Sequence, residues 1–160
     1  MSEPPSDSGS VGWALVATQF VLLGALGAEV VHARRPLGVP GLLGIAAGAI
    51  GSAVIALASN ALGRRLRTHP APASDAVLPT EGVYGVVRHP IYLGLLLLGV
   101  ACTLIARTPR TAVSLGALAA LFAAKSRLEE RLLGERFPGY ADYARRVPRF
   151  VPRFPDAGGN

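Results

Sequence analysis

The sequence predicts an all-α protein: an integral membrane bundle of about four transmembrane helices, with a C-terminal helical segment on the cytoplasmic side. Three observations support this fold class. Residues of the types AVILMFWYC make up 51% of the chain and charged residues only 16%, against about 25% in soluble domains. The apolar residues are concentrated in four runs. Arginines are concentrated in the polar segments beside these runs, as in the loops of membrane proteins.

A single membrane domain is expected over residues 11–152, because 160 residues is an ordinary size for one domain. The polar and acidic N-terminus, residues 1–10, and the tail, residues 153–160, are predicted to be disordered. The first two apolar runs cover residues 11–31 and 39–62. Each reaches the length of about 20 residues that crosses a hydrocarbon core, so each predicts a transmembrane helix.

The third and fourth apolar runs are shorter, Ile91–Ala106 and Thr111–Ala124. The polar turn between them, residues 107–110, predicts an antiparallel helical hairpin. We expect the fourth helix to continue past the membrane surface, through Lys125 to about Glu135. The runs together predict four spans, of which the last two are partly shielded by protein.

The distribution of Lys and Arg predicts the orientation in the membrane. Twelve of the 16 basic residues fall in the 63–89 loop and in the tail that begins at Lys125. The other four fall in the 32–40 loop and the 107–110 turn. Since cytoplasmic loops carry the excess of Lys and Arg, the 63–89 loop and the tail are both predicted to face the cytoplasm.

A protein with a net charge of +6 could bind either of two anionic partners, nucleic acid or lipid headgroups. Because the basic residues flank apolar runs, they favour contact with anionic lipid headgroups, and no nucleic-acid partner is expected. The protein is predicted to be a multi-pass protein of the plasma (cytoplasmic) membrane. The sequence leaves the oligomeric state open.

The first candidate functional segment is Gly82–Gly94, with the sequence GVYGVVRHPIYLG. Pro90 disfavours helical geometry at His89 and is well tolerated as the first residue of a helix. His89 is therefore predicted at the N-terminal end of the third helix, where free backbone N–H groups can bind an anionic group. The alternative is that Arg88 and His89 form a basic anchor, with the tyrosines as an interfacial belt.

The second candidate segment is residues 125–133, with the sequence KSRLEERLL. Lys125 and Glu129 are one helical turn apart and can form an ion pair. Glu129 and Leu133 share a helix face, so at least one carboxylate points in the same direction as the apolar residues. The alternative is a solvated amphipathic helix with salt bridges.

Together the two segments resemble the isoprenylcysteine carboxyl methyltransferase family, whose relatives include phospholipid N-methyltransferases. The similarity runs from about Val77 to Pro152. The pattern G-x-Y-x-x-x-R-H-P-x-Y-x-G is matched by Gly82, Tyr84, Arg88, His89, Pro90, Tyr92 and Gly94. The pattern E-E-x-x-L is matched by Glu129, Glu130 and Leu133, and two closing pieces by Tyr140, Tyr143 and Arg146–Phe150.

This resemblance implies a membrane methyltransferase that uses S-adenosylmethionine without a Rossmann domain. No metal site is expected. The resemblance places the cofactor-binding part at about residues 77–152. The cofactor-binding residues that it implies are Val77, Leu78, Tyr84, His89, Pro90, Ile91, Tyr92 and Glu129. The implied catalytic residues are Arg88, His89 and Glu129. It places a substrate-binding basic residue at Lys125, and since related sequences commonly carry arginine there, Arg127 is the alternative.

The chemistry of the cofactor agrees with these residue types. Aromatic faces such as those of Tyr84 and Tyr92 attract a sulfonium cation, and Glu129 supplies an opposite charge. Arg88, His89 or the helix N-terminus can receive the cofactor's carboxylate. A carboxylate acceptor is ionised at neutral pH and needs no general base, whereas an amine acceptor would use His89 or Glu129 as the base.

The expected function is methyl transfer to a lipophilic acceptor, most simply a carboxylate like that of a prenylated cysteine. A phospholipid amine or a small thiol is the alternative acceptor. Two other classes stay open, an NADPH-dependent membrane reductase and a small four-helix transporter with Glu29 as its coupling carboxylate.

The preferred interpretation of Glu29 is a side chain that reaches the interface. Gln19 is expected to form an interhelical hydrogen bond. A helix-packing face is predicted at Gly41, Gly44, Gly48 and Gly51.

Overall fold

The computed structural model of the protein describes residues 7–33, 36–68 and 78–152. Within these ranges all regular secondary structure is helical. The helices are α1 (Asp7–His32), α2 (Gly38–Thr68), α3 (Val83–Val86), α4 (Pro90–Ala106), α5 (Pro109–Arg136) and α6 (Tyr140–Arg146). The all-α fold class that the sequence predicts is therefore confirmed.

Three of these helices contain stretches that are long and apolar enough to cross a membrane: Gly12–His32, Gly38–Gly63 and Pro109–Arg136. Helix α4 is also apolar and has 17 residues, the lower limit of the range of about 17–25 that spans a bilayer. Large apolar side chains of α1 point outward, with Trp13 77% and Phe20 65% exposed. Such surfaces suit contact with lipid, and the chain is an integral membrane protein. The count of four spans stays a prediction.

Two helix boundaries differ from the predicted apolar runs. Helix α1 begins at Asp7, before the run that starts at residue 11, and α2 continues through Thr68, past the run that ends at residue 62. The backbone hydrogen bonds of a helix need no apolar side chains, so polar residues can extend it in both directions. Helix α5 extends without a break to Arg136, which confirms that the fourth helix continues to about Glu135. Of the segments predicted to be disordered, residues 1–10 and 153–160, residues 7–10 form the start of α1 and the rest lie outside the described residues.

Both helices of the predicted hairpin begin with a proline, Pro90 in α4 and Pro109 in α5. Proline suits this position because its missing N–H would have no partner in the first helical turn. The Thr111 N–H donates to Thr108 Oγ1 at 3.3 Å, so Thr108 caps the start of α5. Only two residues separate α4 from α5, and Thr103 Oγ1 donates to the Thr111 carbonyl oxygen at 3.4 Å. The antiparallel hairpin is therefore confirmed.

The chain divides into two compact units, the first formed by Met1–Gly48 and Leu96–Lys125, the second by Ala49–Leu95 and Ser126–Asn160. In the first unit α2 packs closely on α4. A Cβ atom added to Gly44 would lie 3.0 Å from the Ala101 carbonyl oxygen. The predicted role of this glycine in close helix packing is therefore confirmed.

Polar side chains also join helices within the first unit. Lys125 Nζ of α5 donates to Gln19 Oε1 of α1 at 2.9 Å, which confirms the interhelical hydrogen bond expected of Gln19. Thr108 Oγ1 donates to Glu29 Oε2 at 3.0 Å, and Arg110 Nη1 lies 3.5 Å from Glu29 Oε1. Since the Arg110 side chain is 85% exposed, this ion pair is open to its surroundings. Glu29 thus ties α1 to the start of α5.

In the second unit the close contact between α2 and α4 is made at Gly94. A Cβ atom added there would lie 2.7 Å from the Gly51 carbonyl oxygen and 2.5 Å from Ile55 Cγ1. Real Cβ atoms do not approach other atoms so closely, and the carbonyl oxygen belongs to a helix backbone that cannot move aside freely. Gly94 therefore sets the separation of the two helices, one turn after the His89–Pro90 segment.

Replacing Gly94 by alanine is expected to destabilise the protein by about 1–3 kcal/mol, the usual cost of overpacking. The measurement is thermal unfolding of the purified protein in detergent. The matched control is Gly116→Ala in α5, where an added Cβ meets nothing within 4 Å. That change should raise stability slightly, because alanine favours a helix interior over glycine by roughly 0.5–1 kcal/mol. A Gly94→Ala protein that melts at or above the wild-type temperature would contradict this packing.

Candidate active site

The second unit contains a cavity of about 230 Å³. Its walls come from the segment before α4, the first turn of α4, the C-terminal half of α5, and α6. The residues that line it are Leu78, Pro79, Tyr84, Arg88, His89, Pro90, Ile91, Tyr92, Glu129, Leu133, Tyr140 and Tyr143. The cavity therefore joins the two segments that the sequence singles out.

A turn at Gly82 directs Tyr84 into this wall. Gly82 has φ +60°, a left-handed conformation that glycine adopts without a Cβ penalty, and the short helix α3 follows it. Tyr84 in α3 is buried, and its carbonyl oxygen accepts a hydrogen bond from the Tyr143 hydroxyl at 2.6 Å. This bond fixes α3 against α6 and keeps the Tyr84 ring at the cavity.

Two backbone hydrogen bonds hold the His89 segment against the C-terminal segment. The Arg88 N–H donates to the Pro148 carbonyl oxygen at 2.9 Å, and the His89 N–H donates to the Arg149 carbonyl oxygen at 3.2 Å. The proline at position 90 favours extended geometry at His89, which leaves its N–H free for this pairing. The local sequence thus favours a backbone conformation in which this segment can pair with residues 60 positions further along the chain.

The Glu130 carboxylate lies at the centre of an ionic network beneath the cavity. It accepts hydrogen bonds from Arg88 Nε at 3.1 Å, His89 Nε2 at 3.1 Å and Arg149 Nε at 2.9 Å. The side chains of Glu130 and Arg88 are only 13% and 11% exposed. Charges at this depth are stable only when their hydrogen-bonding groups are satisfied, so the network fixes the three side chains in one arrangement.

Arg88 makes further contacts that use its remaining donors. Its Nη1 donates to the Val147 carbonyl oxygen at 2.9 Å and also to the Ala144 carbonyl oxygen. These two carbonyls close the C-terminal end of α6, where helix carbonyls lack partners within the helix. The Arg88 guanidinium is therefore engaged with protein groups on both sides, and it joins α5 to α6.

Glu129 is one position before Glu130 but makes different contacts. It accepts a hydrogen bond from the Tyr92 hydroxyl, and its Oε2 lies 3.5 Å from His89 Nδ1. Its side chain is 43% exposed, and it lines the cavity. The His89 and Tyr92 rings are stacked, with centroids 5.5 Å apart and an interplanar angle of 5°. The Phe150 ring lies against the imidazole at 5.9 Å.

Burial lowers the pKa of His89 below its ordinary value, although the hydrogen bond to Glu130 and the charges of both carboxylates act in the opposite direction. The imidazole is therefore neutral at neutral pH and carries one N–H. When Nε2 donates that proton to Glu130, Nδ1 remains as an acceptor beside Glu129. His89 can thus receive a proton at the cavity without losing its anchor.

A small apolar core supports the site from the α6 side. Tyr140, Tyr143 and Val147 are buried and pack against Leu78 and Leu133. The Tyr140 and Tyr143 rings meet edge to face with centroids 6.0 Å apart. Burial raises the pKa of both tyrosines, that of Tyr140 to about 12. Both hydroxyls therefore stay protonated at physiological pH.

Comparison with known protein families identifies the family of this chain. The model of the Isoprenylcysteine carboxyl methyltransferase (ICMT) family matches residues 42–135, more than half of the chain. The chain belongs to this family. The match covers the glycine face of α2 except for Gly41, together with the His89 segment and nearly all of α5.

Three curated relatives match about half of the chain. The chain is 42% identical over 80 residues to the cobalt-zinc-cadmium resistance protein CzcN of Cupriavidus metallidurans. It is 39% identical over 80 residues to the nickel-cobalt-cadmium resistance protein NccN of Alcaligenes xylosoxydans xylosoxydans. It is 38% identical over 77 residues to protein-S-isoprenylcysteine O-methyltransferase B of Arabidopsis thaliana.

These matches are partial on both sides. They cover 48%, 48% and 47% of this chain and 36%, 36% and 39% of the respective relatives. The chain therefore aligns with little more than a third of the length of each relative. No solved structure matches the chain.

The structure brings most of the residues implied by the family resemblance to one cavity. Those that line it are Leu78, Tyr84, Arg88, His89, Pro90, Ile91, Tyr92 and Glu129. Val77 lies outside the described residues. Neither Lys125 nor Arg127 is among the described residues that line the cavity. Lys125 belongs to the first unit, where it bonds to Gln19, and the Arg127 side chain is exposed on α5.

Several residues at the site were not predicted as functional. Glu130 and Arg149 form the ionic network, and Tyr140, Tyr143 and Leu133 line the cavity. All five fall within the family-like pieces E-E-x-x-L, Tyr-x-x-Tyr and Arg-Val-Pro-Arg-Phe. That membership was the available signal, but a motif does not tell which of its members face a ligand.

Proposed function

We propose that the protein is an S-adenosylmethionine-dependent membrane methyltransferase that acts on a lipophilic acceptor. The observation that carries this proposal is the cavity itself. It combines the exposed carboxylate of Glu129 with the aromatic rings of Tyr84, His89 and Tyr92 in a chain of the ICMT family. This combination suits a ligand that carries a cation beside apolar groups.

The residues present fit the cofactor in three respects. Tyrosine faces attract a sulfonium group, and Glu129 can pair with a cationic part of the cofactor. The apolar side chains of Leu78, Ile91 and Leu133 offer a surface for an adenine ring. When bound, the cofactor supplies an electrophilic methyl group.

The protein's own contribution is mainly positioning and exclusion of water, since methyl transfer is an in-line displacement. The Tyr92 hydroxyl and His89 fix the orientation of Glu129. Arg88 acts as a positioning residue, because its donors are directed to Glu130 and to backbone carbonyls rather than left for a ligand. Glu129 is the side chain for which we propose a direct ligand contact.

For the acceptor we propose a carboxylate of the isoprenylcysteine type. The family, and the plant relative named as an isoprenylcysteine O-methyltransferase, support this class. A carboxylate acceptor needs no general base, so it requires nothing further of the site. We also propose four membrane spans with the cavity facing the cytoplasm, in keeping with the excess of basic residues in the 63–89 loop and the tail.

An amine or thiol acceptor is the second candidate, and the neutral state of His89 favours it. Such an acceptor must lose a proton, and His89 Nδ1, beside Glu129 at 3.5 Å, can receive one. The product distinguishes the two candidates, because a methyl ester is cleaved by mild base whereas an N-methyl or S-methyl product is not.

The test begins with calorimetric titration of the purified protein in detergent with S-adenosylmethionine and, separately, NADPH. We expect binding of the first only; folded protein that binds NADPH alone would support a reductase instead.

Membranes are then incubated with methyl-labelled cofactor, and the lipid-soluble product is treated with base. A cysteine placed at the exposed Glu135, in a Cys102→Ala background, should be labelled from the cytoplasmic side only.

A further inference from the structure

The hydroxyl of Tyr140 differs from those of Tyr92 and Tyr143, which also line the cavity. Tyr140 is 5% exposed and lines the cavity, yet its hydroxyl oxygen is buried without a hydrogen-bond partner among the described residues. By contrast, the Tyr143 hydroxyl donates to the Tyr84 carbonyl oxygen, and the Tyr92 hydroxyl donates to Glu129. Buried tyrosine hydroxyls usually find a partner, since leaving one unsatisfied is costly. A phenylalanine here would avoid that cost.

The charges around Tyr140 indicate which kind of partner it would take. Burial raises the pKa of Tyr140 most, the Glu130 carboxylate raises it further, and the Arg88 and Arg149 guanidinium groups lower it, so all three charged groups lie close enough to act on this hydroxyl. Two guanidinium groups around one carboxylate carry a net positive charge. A protonated phenol beside such a cluster can donate a hydrogen bond to an anionic acceptor.

A second part of the cavity lining has the opposite character. The described partners of the Glu129 carboxylate include the Tyr92 hydroxyl and the neutral His89 imidazole, neither of which cancels its charge. The cavity thus offers a negative side chain at Glu129 and, at Tyr140, a hydroxyl near the Arg88–Glu130–Arg149 cluster, whose formal charge is net positive. This polarity matches the zwitterionic amino-acid end of a ligand, with its ammonium and its carboxylate.

We propose that the Tyr140 hydroxyl donates a hydrogen bond to the carboxylate of the cofactor's amino-acid part, and so fixes the orientation of the cofactor. This inference rests on the proposed function, because it assumes that S-adenosylmethionine occupies the cavity. It adds a ligand contact from α6 to the contacts proposed above for residues of α4 and α5.

The experiment compares Tyr140→Phe with the wild type, using S-adenosylmethionine and its decarboxylated analogue as calorimetric probes. The variant should bind S-adenosylmethionine about tenfold or more weakly, as expected for loss of a hydrogen bond to a charged group. Its affinity for the decarboxylated analogue should change less than twofold, because that probe lacks the acceptor. Equal losses for both probes, or no loss for either, would overturn the assignment.

Thermal unfolding of the ligand-free proteins provides the structural control. Tyr140→Phe should melt at or above the wild-type temperature, because the hydroxyl has no partner to lose within residues 7–33, 36–68 and 78–152. Tyr143→Phe should melt lower, because it removes the bond to the Tyr84 carbonyl oxygen. A clear fall for Tyr140→Phe would show that the hydroxyl stabilises the free protein, contrary to the inference. If the wild type binds neither probe, the proposed function itself fails.

Discussion

Replacement of Glu130 by glutamine is expected to cause the largest loss of stability of any single isosteric change at the site. The substitution leaves the Arg88 and Arg149 guanidinium groups without their counter-charge, and the Arg88 side chain is only 11% exposed. Removing one partner of a buried ion pair lowers the free energy of unfolding by about 3–5 kcal/mol. The lower end applies here because Arg149 is 31% exposed and Arg88 keeps its bonds to backbone carbonyls.

A loss of about 3 kcal/mol corresponds to a fall in melting temperature on the order of 10 °C for a chain of this size. The measurement is thermal unfolding in detergent, with elution on size exclusion as a check that the variant folds. The matched control is Glu135→Gln, which removes the same charge from an exposed position of the same helix. If Glu130→Gln and Glu135→Gln melt within 2 °C or so of each other, the network does not stabilise the fold as argued.

Replacement of the neighbouring Glu129 by glutamine is expected to have the opposite profile. Its side chain is 43% exposed and bonds to a neutral hydroxyl, so the loss of its charge should change the melting temperature little. The affinity for S-adenosylmethionine should fall about 10- to 100-fold, the effect of removing a charge-assisted hydrogen bond from a ligand. Calorimetric titration of wild type and variant measures the difference.

A second probe locates the cation that Glu129 meets. S-adenosylhomocysteine lacks the sulfonium charge but keeps the amino group. A similar loss of affinity for both ligands would indicate a contact with the ammonium group, and a larger loss for S-adenosylmethionine a contact with the sulfonium. Unchanged affinity for both, in a variant that folds normally, would refute our assignment of Glu129. The exposed Glu135→Gln, which removes the same charge from the same helix away from the cavity, should leave both affinities unchanged.

The helices follow closely from the sequence, since their determinants are local. Apolar runs long enough to cross a bilayer become α1 and α2, and prolines mark the first residues of α4 and α5. The prediction that α5 continues past Lys125 is confirmed. The chain has no proline between Pro109 and Pro138, and the single Gly134 does not end the helix. Helix ends are less well determined: α2 exceeds its apolar run because polar residues also form helix.

The site shows the limit of this local information. Glu129 and Glu130 are adjacent in one motif, yet one faces the cavity and the other lies in an ionic network with Arg88 and Arg149. Successive helix residues point about 100° apart, so which one meets a ligand depends on how the helix is rotated against its neighbours. A sequence cannot fix that rotation.

By itself, then, the sequence determined that this is a helical membrane protein and which short segments carry its polar chemistry, because composition, periodicity and proline positions act over a few residues. Only the tertiary structure decided that Arg88 is held by Glu130 and that Lys125 bonds to Gln19, 106 positions earlier. It also decided that Tyr140 lines the cavity and that its hydroxyl is buried without a partner among the described residues. The physical reason is that a polar side chain takes whichever partner the packing of distant segments brings within about 3 Å.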